Sequence, residues 1–203
     1  MLILTPSLLI GRGKRRECYH HPDDNKLCIK IVVAGDNKET IREQAYYRFL
    51  EKRKVSWEMI TRFHGNVETN MGTGAVFQLI SDYDGKVSKS LKHYLSYFDE
   101  KTLNHKTLSK AIRDLKQFLL KGRIITMSLA DHNMVFKKVT ATEGVLVLVD
   151  NIGNSDFIPV ANYINYFAQK KMLYEWKRFE SCLLNDYPDN EMLRQIFTDP
   201  RVS

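Results

Sequence analysis

Apolar and polar positions alternate in the first third of the chain and then give way to helical spacing. Residues 8–11, Leu8-Leu9-Ile10-Gly11, predict a strand ending on glycine, and residues 17–21 predict its hairpin partner. Pro22-Asp23-Asp24-Asn25 marks a turn. Residues 27–33 then read as an apolar strand interrupted by one lysine, Lys30. From about residue 38 to 54 the period becomes helical, with Ile41, Ala45, Phe49 and Leu50 along one face. Residues 66–70 and 75–80 predict two more strands, joined by Met71-Gly72-Thr73-Gly74.

A polar connector, Ser81-Asp82-Tyr83-Asp84-Gly85-Lys86, separates this part from a helix-rich remainder. Helices are predicted over residues 90–98 and about 106–120. The second has a buried stripe of Leu108, Ile112, Leu115, Phe118 and Leu119 and ends at Gly122. Two short apolar strands come next, on either side of residue 140. A long helix over about residues 160–184 and a shorter one over 190–197 complete the pattern. Trp57, Trp176 and the aromatic positions from Tyr163 to Phe179 read as core. The order predicts an α+β chain in two lobes: residues 1–80, a hinge at 81–86, and residues 87–203. Ligands favour the cleft between lobes.

Composition narrows the function classes. The 203 residues are 43% hydrophobic and 27% charged, an ordinary globular balance. No apolar run reaches the roughly 20 residues that span a bilayer. The apolar start, residues 1–10, lacks a basic leader and reads as a strand rather than a signal peptide. Cys18, Cys28 and Cys182 follow no metal or disulfide spacing, which points to a reducing cytoplasm. The net charge is +7, with lysines and arginines spread along the chain and no specific nucleic-acid motif. One local cluster, Arg12-Gly13-Lys14-Arg15-Arg16, stands out.

The candidate chemistry lies in two stretches, residues 126–136 and 145–153. A loop ending in Asn133, a strand, a turn, a second strand and then Asp150-Asn151-Ile152-Gly153 resembles the way a protein-kinase-like fold presents its metal ligands. Asn133 and Asp150 are then the magnesium ligands. The catalytic base of such a fold stands five residues before the asparagine, and that position is Ser128. Asp131 is a weaker, displaced candidate, and His132 reads as a solvent-facing loop residue. Gly11 and Gly13 lie between two strands, where backbone amides can approach phosphates, although glycines also serve hairpins. The position of a third glycine is occupied by Arg16 or Glu17. Lys30 needs solvent or a carboxylate partner. A kinase pairs such a lysine with a helix glutamate, here Glu43 in preference to Glu39, so that the lysine reaches the α- and β-phosphates.

Wider segments resemble the YrbL family, bacterial proteins named for the PhoP regulatory network. They are Gly11-Arg12-Gly13, Cys28-Ile29-Lys30-Ile31-Val32, Arg62-x-His64-Gly65, Gly72-Thr73-Gly74, Arg123-Ile124-x-Thr126-Met127-Ser128-Leu129 and Asp150-Asn151-Ile152-Gly153. The resemblance covers nearly the whole chain. It implies a minimal kinase-like fold and a cytoplasmic setting in a regulon responding to magnesium limitation and envelope stress. It implies no reaction.

Departures from a generic kinase count against an ordinary protein kinase. Ser128 replaces the base, and few residues separate Gly153 from the next predicted helix. Three readings stay open. One is a pseudokinase that binds ATP or ADP with magnesium and acts on a protein partner. The second is an active atypical kinase for a small molecule or protein. The third is an interaction protein that has lost the nucleotide.

Overall fold

The computed structural model describes residues 1–96, 104–154 and 160–198. A 3-10 turn at Pro6–Leu8 leads into β1 (Leu9–Arg12), β2 (Arg16–His21) and β3 (Asp24–Val32). Then come α1 (Lys38–Lys52), β4 (Phe63–Thr69) and β5 (Gly72–Gln78). Next are β6 (Lys89–Ser90), α2 (Leu91–Ser96) and α3 (His105–Gly122). A 3-10 turn at Asp131–Asn133 opens into β7 (Met134–Lys138) and β8 (Gly144–Leu148). The last described elements are α4 (Val160–Tyr163), α5 (Asn165–Asp186) and α6 (Glu191–Thr198). The chain is α+β. The predicted helix over 90–98 is observed as far as Ser96, and its final two positions lie outside the described residues, as do 199–203.

Five strands form one antiparallel sheet in the order β1-β2-β3-β5-β4. Alternation along β3 divides its side chains between two cores. Ile29 and Ile31 join Leu4, Tyr19 and Val76 in a small cluster on one face. Cys28 and Lys30 point the other way, and Cys28 joins the main core with Phe77, α1 and the later helices. Leu108, Ile112, Leu115 and Leu119 of α3 are fully buried in that core, as their spacing predicts. Asn104 caps α3 by accepting from Thr107 N at 2.9 Å.

A few backbone contacts fasten the first sheet to the second half of the chain. Residues 59–61 run beside β8, with Thr61 N donating to Leu148 O and Leu148 N donating to Met59 O, each at 2.9 Å. Tyr46 of α1 accepts from Ile125 N at 2.8 Å. Arg53 donates to Gly122 O at 2.7 Å. These contacts carry the end of β8 to the inner face of the first sheet.

Several expectations are corrected. On α1 the buried face is Glu43, Gln44, Tyr46, Tyr47 and Leu50, while Ile41 is exposed. Tyr46 and Tyr47 are large aromatic side chains buried on this face, beside the Glu43 that pairs with Arg16, and they set the rotation of the helix. The turn after β4 is Asn70-Met71, and Gly74 lies inside β5. A side chain at Gly74 would meet Ile29 Cγ2 at 2.4 Å, so the glycine permits strand-on-strand packing. The predicted long helix breaks at Ile164, which is extended. Trp176 and Phe179 are core, but Tyr163, Tyr166, Phe167 and Tyr174 are exposed. The strand predicted from Leu8 begins at Leu9, after the 3-10 turn. The connector 81–86 curls into a turn, with Asp82 N donating to Lys86 O at 2.8 Å.

Candidate functional site

Strand register decides which side chains meet. Cys18 on β2 lies opposite Lys30 on β3, and Arg16 lies opposite Val32. Alternate residues share a face, so Arg16, Cys18, Lys30 and Cys28 all project from one side of the sheet. Helix α1 covers that side with Glu43, and the chain leaving β8 brings Asp150 beneath it.

The four charged groups form one network. Arg16 donates through one arm to Glu43 Oε2 at 2.5 Å and through the other to Asp150 Oδ1. Lys30 Nζ donates to Val149 O at 2.5 Å and lies 3.4 Å from Asp150 Oδ1. The Lys30 ammonium also stands 4.6 Å from the centre of the Phe77 ring. The ion pair expected between Lys30 and Glu43 is therefore replaced by three others, Arg16–Glu43, Arg16–Asp150 and Lys30–Asp150. A guanidinium is a planar fork that can hold two carboxylates at once, whereas an ammonium is a point charge. Arg16 takes Glu43 and shares Asp150, and Lys30 keeps the remainder.

The network is buried unevenly. Glu43 is 0% exposed and Lys30 9%, while the Asp150 side chain remains 29% exposed. Burial alone would depress the Arg16 and Lys30 pKa values, but the carboxylates outweigh it and hold both above their ordinary values. Burial likewise pushes the Asp150 carboxyl up, and Lys30 and Arg16 overcome it to hold the group below the usual carboxylate range. For Glu43, burial and the nearby Asp150 prevail, and its pKa is raised. Two cations and two carboxylates bring the set to electrical balance.

Asn133 reaches the same region through the backbone. Its carbonyl accepts from Val149 N at 3.0 Å, next to Asp150. The residue is 4% exposed, and its amide Nδ2 has no hydrogen-bond partner. The orphaned Nδ2 is a donor that lacks an acceptor, whereas the Oδ1 of the same amide and the partly exposed Asp150 carboxylate are oxygens of the kind a hard divalent ion takes. Among the described residues no group of three or more His, Cys, Asp or Glu could hold a metal ion. Two oxygen-bearing side chains would leave a magnesium ion to take its remaining ligands from elsewhere.

The loop Asp150-Asn151-Ile152-Gly153 is held against residues 125–128. Met127 N donates to Asn151 O at 2.8 Å and Gly153 N to Ile125 O at 3.0 Å. Asn151 has φ +58°, a left-handed conformation that asparagine tolerates. Its side chain donates to Ser128 Oγ at 2.9 Å, so Ser128 ties two loops together. Asp131 is buried and turned away from the charged network. Tyr187 donates to Asp131 Oδ2 at 2.5 Å, and His132 Nδ1 lies 3.1 Å from the other oxygen. His132 itself is exposed. Tyr187 also lines a cavity of about 630 Å³ with Leu95, His105 and Met192, none of which belongs to the charged network.

The β1–β2 hairpin is tight, with Gly13 N donating to Arg16 O at 2.8 Å. A side chain at Gly13 would approach that carbonyl to 3.2 Å, so Gly13 serves the turn. A side chain at Gly11 would meet nothing within 4 Å, which leaves open space beside the strand. Two partners escape a reading of the residues alone. Sequence reasoning takes Arg16 only as standing where a third glycine would be, although alternation two positions before Cys18 is the signal that could have found it. Tyr187 lies past a long helix with no local signal for its contact with Asp131.

The family described as PhoP regulatory network protein YrbL matches residues 2–183. The chain belongs to the YrbL family. An Escherichia coli (strain K12) protein, "Uncharacterized protein YrbL", is 38% identical over 184 residues, covering 88% of this chain and 86% of that protein. A Shigella flexneri protein of the same description matches with the same identity and coverage. The YrbL match spans Arg16, Lys30, Glu43, Ser128, Asp131, Asn133 and Asp150, and stops short of Tyr187. The family's description links the family to the PhoP regulatory network. Among the described residues no helix is long and apolar enough to cross a membrane.

Proposed function

We propose that this chain is a protein-kinase-like nucleotide-binding protein whose two lobes, residues 1–80 and 87–203, are joined by the connector 81–86 and meet at the charged network. The observation that carries the reading is the convergence of Lys30, Glu43 and Asp150 from three separate elements, bridged by Arg16, with the Asn133 backbone bonded to the residue before Asp150. ATP or ADP with magnesium is the ligand of this reading. Lys30 and Arg16 supply charge for the phosphates, and Asp150 and Asn133 supply oxygens for the metal. Magnesium, when bound, neutralises phosphate charge.

The role is that of a pseudokinase acting on a partner protein within the PhoP network. Ser128 Oγ already accepts from Asn151, and both Asp131 oxygens are engaged, so neither side chain is poised to take a substrate proton. An active atypical kinase for a small molecule or protein is the second reading, because phosphoryl transfer depends largely on positioning and electrostatics. Melting with ADP or ATP, with and without magnesium, tests the first claim. Ligand at about 100 times its Kd adds about 2.7 kcal/mol of stability. No shift across millimolar nucleotide leaves the interaction protein as the better reading. Transfer of γ-labelled phosphate to any acceptor distinguishes the atypical kinase.

A further inference from the structure

The Arg16 side chain is only 16% exposed, and its guanidinium bonds directly to the carboxylate that a metal would use. It also bonds Glu43, so the cation is anchored from both sides. Lys30 stands 3.4 Å from the same Asp150 oxygen. A bare divalent ion at Asp150 would add two positive charges beside two buried cations. It would also have to break a charge-assisted hydrogen bond before it gained its own contact.

We propose that Arg16 is a built-in cation guarding Asp150, so that the site admits a divalent ion only together with a polyphosphate. This rests on the nucleotide reading above and specifies its ligand class as polyanionic. The guanidinium has five donors, and a phosphate chain offers more acceptor oxygens than one carboxylate. Phosphates draw Arg16 and Lys30 toward themselves, and Asp150 is left for the metal. Glu43 keeps the Arg16 stem in place during the exchange, because its bond uses the other arm. The open space beside Gly11 lies on the strand leading into the hairpin that carries Arg16, where a phosphate chain can approach. Metal and polyphosphate binding are therefore strongly coupled, and coupling is reciprocal.

Manganese read by its electron paramagnetic resonance signal is the probe, on the full chain. The parent is expected to hold almost no Mn²⁺ alone and to hold it when ADP or tripolyphosphate is added. Arg16→Gln is expected to gain about tenfold or more in affinity for Mn²⁺ alone, and to lose most of the enhancement by ADP. Arg16→Lys keeps the positive charge and restores the exclusion in part. A cooperative melting curve for Arg16→Gln shows that the gain belongs to the folded chain, and the parent measurement needs no variant. The proposal is overturned if the parent binds Mn²⁺ equally with and without polyphosphate, or if Arg16→Gln and the parent bind Mn²⁺ alone equally. A parent that takes up no ADP in either condition overturns the nucleotide reading, while the contrast in bare Mn²⁺ binding separately decides whether Arg16 guards Asp150.

Discussion

Two aspartates border the β7–β8 hairpin, and they are held in opposite ways. Asp150 accepts from a guanidinium, lies beside an ammonium and remains partly open to solvent. Asp131 is buried, bonded to the phenol of Tyr187 and next to an exposed histidine. The phenol is pushed up to about 12 by burial and by its bond to Asp131, so it stays a neutral donor. A carboxylate compensated by cations and still partly exposed keeps an open side. A carboxylate closed by a neighbouring helix end has a structural task. The difference separates a partly exposed charge network from a fastening between the loop and the segment after α5.

Removing one partner from the buried side of the network has the largest expected effect. Glu43→Ala leaves Arg16 without its anchor and costs about 3–5 kcal/mol in urea unfolding. Lys30→Ala costs less, about 1–3 kcal/mol, because Arg16 still compensates Asp150. If Lys30→Ala proves as damaging as Glu43→Ala, Arg16 is not the main partner that its geometry indicates.

The second effect concerns the ligand. Asp150→Ala is expected to abolish the magnesium-dependent melting shift of about 2.7 kcal/mol at 100 times Kd, and Asn133→Ala to reduce it. A carboxylate brings charge, and an amide only a dipole. Equal shifts in both variants and the parent would reduce Asp150 to a turn residue held by cations.

Tyr187→Phe probes the other aspartate. It should cost about 2 kcal/mol, since Asp131 stays buried with one oxygen unbonded. Nucleotide-dependent shifts should be unchanged. Loss of nucleotide binding in Tyr187→Phe would break the contrast between the two aspartates.

The smallest effect is read against pH. Asp150 has a depressed native pKa, so its contribution is present above the ordinary carboxylate value of about 3.9 and is lost as pH falls through the native value. Glu43 has a raised pKa and the opposite sign. Its contribution is present at low pH and is lost as pH rises through the raised value. Lys30 contributes below 10.5, and that stability is lost as pH rises through its raised pKa. The parent should therefore lose stability relative to Asp150→Asn as pH falls below about 4. Parallel curves for the two proteins would mean that the charge on Asp150 adds nothing to the fold.

Local pattern was enough for the elements and for the family. Alternation gave the strands around Lys30, helical spacing gave the α3 stripe, and the segments around Gly11, Lys30, Ser128 and Asp150 carried the YrbL resemblance. These are properties of neighbours within about ten positions, which the chain writes directly. The α1 face, the break at Ile164 and the exposed tyrosines of α5 were not legible, because each depends on which surface packs against which. Ion pairing is the clearest case. The residue pattern pairs Lys30 with Glu43 and makes Asp150 a metal ligand, but the partners of all three were decided in three dimensions. Strand register placed a second cation, Arg16, on the same face as Lys30, and a guanidinium fork outcompetes an ammonium where two carboxylates converge. Residue type and spacing therefore determined where charge is buried, and only the tertiary arrangement determined which charge answers which.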